Sequence, residues 1–228
     1  MKPYYETDFG KLYYGNCYEI MPKIDSFDLI VSDPPYGINH KSNGHRFKSF
    51  SPIIGDNNLN SYLFLDSFNI ALCLFFSPYN QPKIKWRNIL VWDKGPSLGV
   101  GGDWATCWKR SFEMIGVKNN PKLNGIRDEG VLKIVPPLVK SSGHLAEKPI
   151  NLMIYLLNKI PSSLVIDPFL GSGSTAIAAE ILHKNWIGIE IEEKWCEVSA
   201  NRIEKERSQL KLFAPKPKQK KAKQLELL

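Results

Sequence analysis

Two short polar segments, each of which follows an apolar run, hold the residues that could do chemistry. The first is Asp33-Pro34-Pro35-Tyr36, directly after the apolar strand predicted over Phe27–Ser32. Neither proline can donate a ladder hydrogen bond, so the strand ends there and holds the acid and the ring at its tip. A carboxylate beside an aromatic face suits a planar ring that carries an amine. For such a segment alone, an ordinary strand-to-turn transition is the alternative interpretation.

The second segment runs from Asp167 to Thr175 and follows the predicted strand Leu164–Ile166. Its glycines let backbone amides approach a ligand closely at the N-terminus of the next helix. Glu190 closes the following strand, 17 residues beyond Gly173. That spacing is close to the one at which a βαβ unit places a carboxylate on a ribose hydroxyl. The pattern predicts a nucleoside-containing cofactor.

The charge of this segment discriminates between two cofactor classes. Gly171, Gly173 and Ala176 fit the loose dinucleotide pattern, so a dinucleotide-dependent oxidoreductase is an alternative. Asp167, however, would repel a pyrophosphate and attract a cationic amino-acid group. A nucleoside joined to such a group is S-adenosylmethionine, which is therefore the favoured cofactor. A glycine turn that binds no cofactor is the remaining alternative.

Alternating strand and helix signals must position both segments. The unit of strand, glycine turn, helix and strand around Asp167 is typical of α/β proteins. Leu59–Phe76 has helical spacing and predicts one core-facing helix, whereas Lys109–Val117 fits a strand or a helix. Further strands are predicted over 12–15, 88–92 and 186–191, and helices over 18–22, 150–158, 176–183 and 192–208.

Composition indicates one globular α/β domain. The chain has 228 residues, of which 43% are hydrophobic and 23% charged. We expect residues 1–210 to fold and residues 211–228 to form a basic disordered tail. This tail holds six lysines and one glutamate, hence five of the seven net positive charges. The basic balance alone is therefore weak evidence for a nucleic-acid partner.

The cysteines and the apolar runs point to a cytoplasmic protein. Four cysteines lie far apart without metal-ligand spacing, so we expect reduced thiols and no metal. No secretory signal core is visible, and the most apolar run, 62–76, is too short and polar to span a bilayer.

Together the two segments resemble the amino-group DNA methyltransferases. DPPY at 33–36, preceded by Gly15-Asn16-Cys17, and DPFLGSGST at 167–175, followed by Gly188-Ile189-Glu190, are similar to that family's motifs. Their order resembles the permuted beta class, and the likeness covers about residues 10–205. It implies a Rossmann-like methyltransferase fold, in which a central, mostly parallel twisted sheet has helices on both faces. It also implies methyl transfer from S-adenosylmethionine to an exocyclic amine of a flipped base in DNA.

The resemblance further implies roles for individual residues. Asp33 and the Pro34 carbonyl would accept hydrogen bonds from the target amine, and Tyr36, held by Pro35, would stack on the base. Asn16 and Cys17 would lie by the adenine of the cofactor and Glu190 on its ribose, although the family usually has aspartate where Asn16 stands. The methionine side would be lined by residues of both tips and of the segment before the helix at 150: Asp33, Lys148, Asp167, Phe169, Gly171, Gly173, Ser174 and Thr175.

Target choice is predicted with less detail. In the resembling family DPPY accompanies adenine more often than cytosine, so adenine N6 is expected and cytosine N4 is the alternative, with a catalytically inactive DNA-binding relative as a further one. The short basic window 118–142 is the candidate target-recognition segment. The partner is double-stranded DNA, and a homodimer and a cognate restriction nuclease are candidate partners. Expected DNA contacts lie in this window and in a basic loop before it: Lys122, Arg127, Lys41, Arg46 and Lys48.

Overall fold

A computed structural model of the chain describes residues 1–38, 54–95, 111–119, 122–137 and 147–213. Within these residues one nine-stranded sheet forms, with strand order β1-β2-β9-β8-β3-β4-β6-β5-β7. Its strands are β1 (Tyr5–Glu6), β2 (Gly10–Tyr14), β3 (Leu29–Ser32), β4 (Ala71–Phe76), β5 (Asn88–Asp93), β6 (Phe112–Lys118), β7 (Val131–Lys133), β8 (Leu164–Asp167) and β9 (Asn185–Glu190).

The middle of the sheet is parallel. β2, β9, β8, β3 and β4 all run in one direction, so their carboxyl ends meet at the same edge. β6 lies antiparallel to both β4 and β5, and β5 pairs with β7 in parallel. The edge with the carboxyl ends of β3 and β8 is called the catalytic edge below, and the opposite one the far edge. The α/β architecture expected from the sequence is confirmed.

Helices cover both faces of the sheet. They are α1 (Cys17–Ile20), α2 (Asn60–Asp66), α3 (Ile150–Lys159), α4 (Ser174–Ile181) and α5 (Glu193–Phe213), with a 3-10 turn at Met21–Lys23. Alternate residues of β3 and β4 point to opposite faces and enter two separate apolar clusters. One cluster includes buried residues of α3, α4 and α5, and the other includes buried residues of α1 and α2. This double cover leaves the strand ends as the accessible part of the sheet.

The prediction of one helix over Leu59–Phe76 is wrong. The segment forms α2, breaks at Ser67–Ile70 and continues as β4 in the sheet between β3 and β6. Because β4 is covered on both faces, its residues from Leu72 to Phe76 are all buried, and they form an apolar run without alternation. Such a run cannot be told from a buried helix by periodicity. The undecided segment Lys109–Val117 contributes β6.

Candidate active site

The tip of β3 holds its acid and its ring in a fixed turn. Tyr36 donates its hydroxyl hydrogen to Asp33 Oδ1 at 2.7 Å. Gly37 turns the chain with a φ of 66°, and Asn80 Nδ2 donates to the carbonyls of Tyr36 and Gly37 at 2.8 and 3.2 Å. The Pro34 carbonyl has one weak contact, the Tyr62 hydroxyl at 3.5 Å, and so keeps acceptor capacity.

Asp33 also belongs to a cluster of four charged side chains, the Asp33–Glu113–Lys148–Lys94 cluster. Lys148 Nζ forms ion pairs with Asp33 Oδ2 and, at 3.2 Å, with Glu113 Oε2. Lys94 Nζ binds the other oxygen of Glu113 at 2.5 Å. Aromatic rings surround Lys148, and its Nζ lies 5.0 Å from the centroid of Phe75. Two acids and two lysines thus balance their charges where water is largely excluded.

The two acids of this cluster differ in acidity. Burial raises the pKa of Asp33, and Lys148 offsets this only in part because Glu113 repels the same charge. Burial also opposes ionisation of Glu113, but Lys148 and Lys94 together lower its pKa to about 2. Burial disfavours the charge on Lys148, yet Asp33 and Glu113 raise the pKa of its ammonium group. Glu113 is therefore the more acidic of the two, and Asp33 is the one whose ionisation burial opposes more effectively.

The tip of β8 lies next to the tip of β3, because the two strands are neighbours in the sheet. Asp167 accepts hydrogen bonds from Ser32 Oγ at 2.6 Å, Thr175 Oγ1 at 2.5 Å and the Phe169 amide at 3.1 Å. Burial nevertheless raises the pKa of Asp167 to about 6. The Ser32 hydrogen bond joins the two tips directly.

The glycine turn after β8 is held by the next strand. Gly171 and Gly173 have φ values of 53° and 85°, which favour glycine. The Gly171 amide donates to Glu190 Oε2 at 2.8 Å, and the Glu192 amide donates to Oε1 at 2.9 Å. Burial raises the pKa of Glu190. At the start of α4, Ser174 Oγ donates to the Lys148 carbonyl at 2.8 Å.

A cavity of about 360 Å³ lies beside the tips of β3 and β8. Pro35, after β3, and Pro168 and Phe169, after β8, line it, whereas Asp33, Tyr36 and Asp167 are not among its lining residues. Among the described lining residues the one charged side chain is the carboxylate of Glu190, and there is no lysine or arginine. The remaining lining residues are Gly15, Asn16, Cys17, Tyr18, Ile54, Gly55, Asn58, Asn60, Ser61 and Ile191. The lining suits a ligand that is cationic or neutral rather than a pyrophosphate.

The predicted cofactor residues are brought to this region with different contacts. Asn16 and Cys17 line the cavity, although the Asn16 side chain also caps α1 by accepting from the Tyr18 amide at 3.0 Å. Burial raises the pKa of the Cys17 thiol to about 12, so it is a neutral wall. Lys148, expected beside the cofactor carboxylate, is instead paired with Asp33 and Glu113.

The two predicted DNA-binding residues that the structure describes do not join the site. Lys122 and Arg127 are exposed and precede β7 at the far edge, where their loop packs against the end of α3. The described parts of the window 118–142 thus lie at both ends of the sheet. Lys122 and Arg127 lie at the far edge, and β7 then runs toward the catalytic edge, where the Ile134 carbonyl accepts a hydrogen bond from Trp92 Nε1 at 2.8 Å. Lys41, Arg46 and Lys48 lie outside the described residues.

Glu113 and Lys94 were missed by sequence reasoning. Both lie in segments without a recognisable motif, and the segment of Glu113 could be assigned neither to a strand nor to a helix from the sequence. The one signal was the position of Lys94 directly after the strand that ends at Asp93. The described residues hold no cluster of side chains suited to a metal ion, and none of their helices is long and apolar enough to cross a membrane.

Comparison with known proteins places this geometry in a family context. A family model described as DNA methylase, for N6 and N4 amino methyltransferases, matches residues 91–201. The Type II methyltransferase M2.MboI of Moraxella bovis is 28% identical over 89% of this chain and 91% of its own length. M.BamHI of Bacillus amyloliquefaciens is 25% identical over 93% of this chain, which spans 61% of that longer protein.

Solved structures show the same fold. The M1.HpyAVI–SAM complex aligns with a TM-score of 0.61 at 22% identity, over 85% of this chain and 99% of that one. The PvuII DNA methyltransferase, described as cytosine-N4-specific, aligns with a TM-score of 0.66 at 18% identity, over 91% and 93% of the two chains. The sheet is that of the Rossmann-like methyltransferases.

Proposed function

Since this chain belongs to the S-adenosylmethionine-dependent amino DNA methyltransferases, we propose that it methylates N6 of adenine in double-stranded DNA. The observation that carries the proposal is that two joined strand tips lie beside one cavity. One tip carries Asp33, the Pro34 carbonyl and Tyr36, and the other carries Asp167, which accepts a hydrogen bond from Ser32 at the end of the first strand. Pro35 of the first tip and Phe169 of the second line the cavity. Acceptors for an amine thus lie next to a pocket for a cationic donor.

The cavity fits S-adenosylmethionine by size and charge. Its volume of about 360 Å³ lies within the usual range of small-molecule sites, roughly 300–1,000 Å³. We propose that Glu190 binds the ribose hydroxyls, that Asn16 and Cys17 bound the adenine, and that Asp167 and the turn at Gly171 and Gly173 face the methionine part. Bound there, the cofactor supplies a methyl group on an electrophilic sulfonium. A carboxylate lining gives no comparable support to a dinucleotide.

The residues of the β3 tip would activate the target amine. An aromatic amine is a weak nucleophile because its lone pair is delocalised into the ring. Hydrogen bonds from its two hydrogens to Asp33 and to the Pro34 carbonyl would localise that pair, while Tyr36 stacks on the base. With S-adenosylmethionine bound, that lone pair would be directed at the methyl carbon, and the electrons of the carbon–sulfur bond would pass to sulfur, which would leave as a thioether. The methylated nitrogen would carry the positive charge until it gave one proton to water.

A base inside a duplex cannot present this amine in the cavity, so the target base must leave the stack. Asp33 rather than serine at the start of the tetrapeptide supports adenine over cytosine, on the family correlation given above. The basic loop with Lys41, Arg46 and Lys48 stays our candidate for holding the DNA backbone. We also propose that a homodimer supplies recognition surface in addition to the short target-recognition segment. A cognate restriction nuclease, if present, would be blocked at the methylated sites.

Labelled methyl transfer tests the proposal. The purified protein would be incubated with methyl-labelled S-adenosylmethionine and genomic DNA that lacks methylation, and the DNA digested to nucleosides for mass spectrometry. We expect N6-methyldeoxyadenosine. N4-methyldeoxycytidine would move the target to cytosine. Absence of label in either nucleoside, with cofactor binding intact, would contradict the proposed activity on DNA.

A further inference from the structure

We propose that Glu113 is a positioning residue for methyl transfer, which acts through Lys148 to set the charge and direction of Asp33. The inference rests on the proposed function but concerns a residue outside the tetrapeptide and the glycine turn. Glu113 lies on β6, across β4 from the strand that carries Asp33. Its carboxylate receives Lys148 on Oε2 and Lys94 on Oε1, so both of its oxygens are engaged by ammonium groups.

The geometry makes Lys148 a shared group rather than a private partner of Asp33. Its one ammonium contacts Asp33 and Glu113. The same nitrogen lies 5.0, 5.9 and 5.8 Å from the ring centroids of Phe75, Trp92 and Tyr36. Lys148 lies nearer to Asp33 than to Glu113, and Glu113 gives its ammonium a second carboxylate partner. An Asp33 oxygen can then exchange its contact with Lys148 for one with the incoming amine, and Lys148 keeps a partner in the closed pocket.

Glu113 contacts the tyrosine of the tetrapeptide as well. Glu113 Oε2 lies 3.1 Å from the Tyr36 hydroxyl, which donates to Asp33 at 2.7 Å. When an amine takes the place of this hydroxyl on Asp33, Glu113 offers the hydroxyl a second acceptor. Tyr36 can thus turn toward the base without leaving a buried donor unpaired, which would be costly.

The charge balance of the cluster also indicates that methyl transfer depends on Glu113. The two acids and two lysines of the cluster carry no net charge when all four are ionised. Among the described residues, the titratable groups that interact with its acids are Tyr36 after β3, Tyr62 on α2 and Asp167 at the end of β8. Replacing Glu113 by glutamine would leave two ammonium groups against one carboxylate. The target nitrogen gains positive charge as the reaction proceeds, so this excess would oppose the transfer.

Glu113→Gln tests the role, with Glu113→Asp as the conservative variant and Glu197→Gln as a matched control. Glu197 is exposed on α5, and its substitution removes the same charge. We expect kcat to fall by about 10- to 100-fold in Glu113→Gln, the effect typical of a misplaced catalytic group, with the KM for S-adenosylmethionine nearly unchanged. Glu113→Asp should recover part of the loss, and Glu197→Gln should match the wild type.

A titration that needs no turnover separates this role from a structural one. Loss of the Glu113 charge removes a repulsion from Asp33, so the pKa of Asp33 should fall in Glu113→Gln, and the acid limb of the kcat profile should move to lower pH. Carbon-13 NMR of aspartate-labelled protein, with the Asp33 signal assigned through Asp33→Asn, reports the first shift directly. If wild-type protein transfers no methyl group, the proposed function fails while this titration still decides the coupling. Unchanged kcat and an unchanged Asp33 midpoint in Glu113→Gln would overturn the inference.

Discussion

Both ends of helix α3 carry a lysine paired with an aspartate, yet the two pairs differ in nearly every physical respect. Lys159, at the C-terminal end, meets Asp128 at 2.8 Å on the exposed loop of the far edge. Hydrogen bonds from Lys159 and Tyr155 lower the pKa of Asp128. Lys148, just before the N-terminal end, meets Asp33 in a buried cluster where burial raises the pKa of the acid.

The helix dipole accounts for one pair and opposes the other. A cation is favoured at the C-terminus of a helix, so Lys159 is placed where a lysine is expected. Lys148 lies near the positive end of α3 and is desolvated, and it is held there by two carboxylates rather than by its helix. A costly arrangement that persists at a strand tip indicates function, whereas the far-edge pair fastens a loop.

The largest difference between the two pairs should appear in methyl transfer. Asp33→Ala removes the acceptor for the target amine, so we expect transfer to fall by about 100- to 1,000-fold or more, as for loss of a preorganised polar contact. Calorimetry should show S-adenosylmethionine binding largely retained, because the cavity is lined by Pro35 and not by Asp33. Asp128→Asn at the other end of α3 is the matched control and should transfer methyl groups at the wild-type rate. Equal rates in both variants would remove Asp33 from the reaction.

Stability should distinguish the two lysines next. Lys148→Met leaves Asp33 without a cation and Glu113 with Lys94 alone, and breaking a buried pair in this way costs about 3–5 kcal/mol of unfolding free energy. Lys159→Met should cost little, because Asp128 stays solvated. Urea unfolding at pH 8 measures both.

The pH dependence of that loss follows from its cause. Without Lys148 the folded-state pKa of Asp33 rises further above its unfolded value of about 4. The folded variant then gains stability from protonation of Asp33 at low pH and loses it as pH rises through the raised value. The deficit of Lys148→Met should therefore shrink as the pH is lowered from 8 to 5. A deficit that is independent of pH would indicate lost packing of the lysine stem rather than lost pairing.

The buried pair also shows which parts of the site could be predicted from the sequence and which could not. The tetrapeptide and the glycine turn were recognisable because their chemistry is local: prolines that end a strand, and glycines at positive φ. Asp33, Asp167 and Glu190 could therefore be expected at one edge. The partner of Lys148 could not, because Glu113 reaches it through the pairing of β6 with β4, and β4 itself was concealed in a fully apolar run. Register between distant strands is a tertiary property that periodicity does not encode.

A third prediction concerns the neighbouring strand tip. Burial raises the pKa of Asp167 to about 6. Asp167 does not line the cavity itself, but it accepts a hydrogen bond from the amide of Phe169, which does, so a cationic ligand should bind best while Asp167 is ionised. As pH falls through 6, Asp167 takes up a proton and its attraction for the ligand is lost. We expect the affinity for S-adenosylmethionine to be about tenfold lower at pH 5 than at pH 7, since one pKa unit corresponds to a factor of ten. Asp167→Asn should bind weakly at both pH values. An equal pH dependence in wild type and variant would assign the titration to another group.

The smallest effect, on DNA binding, is expected from substitutions at the far edge. Lys122 and Arg127 belong to the loop that Lys159 and Asn124 hold on the end of α3, across the sheet from Asp33. A duplex that delivers a base to the catalytic edge would have to reach around the sheet to contact them. We therefore expect the double variant Lys122→Ala/Arg127→Ala to leave the salt dependence of DNA binding unchanged. If each residue neutralised a phosphate, the slope of log K against log salt would instead fall by about 2, roughly 0.9 for each contact. Fluorescence anisotropy across a salt series measures this slope, and a reduced slope would show that DNA extends over the far edge and that the loop there does more than fasten the helix.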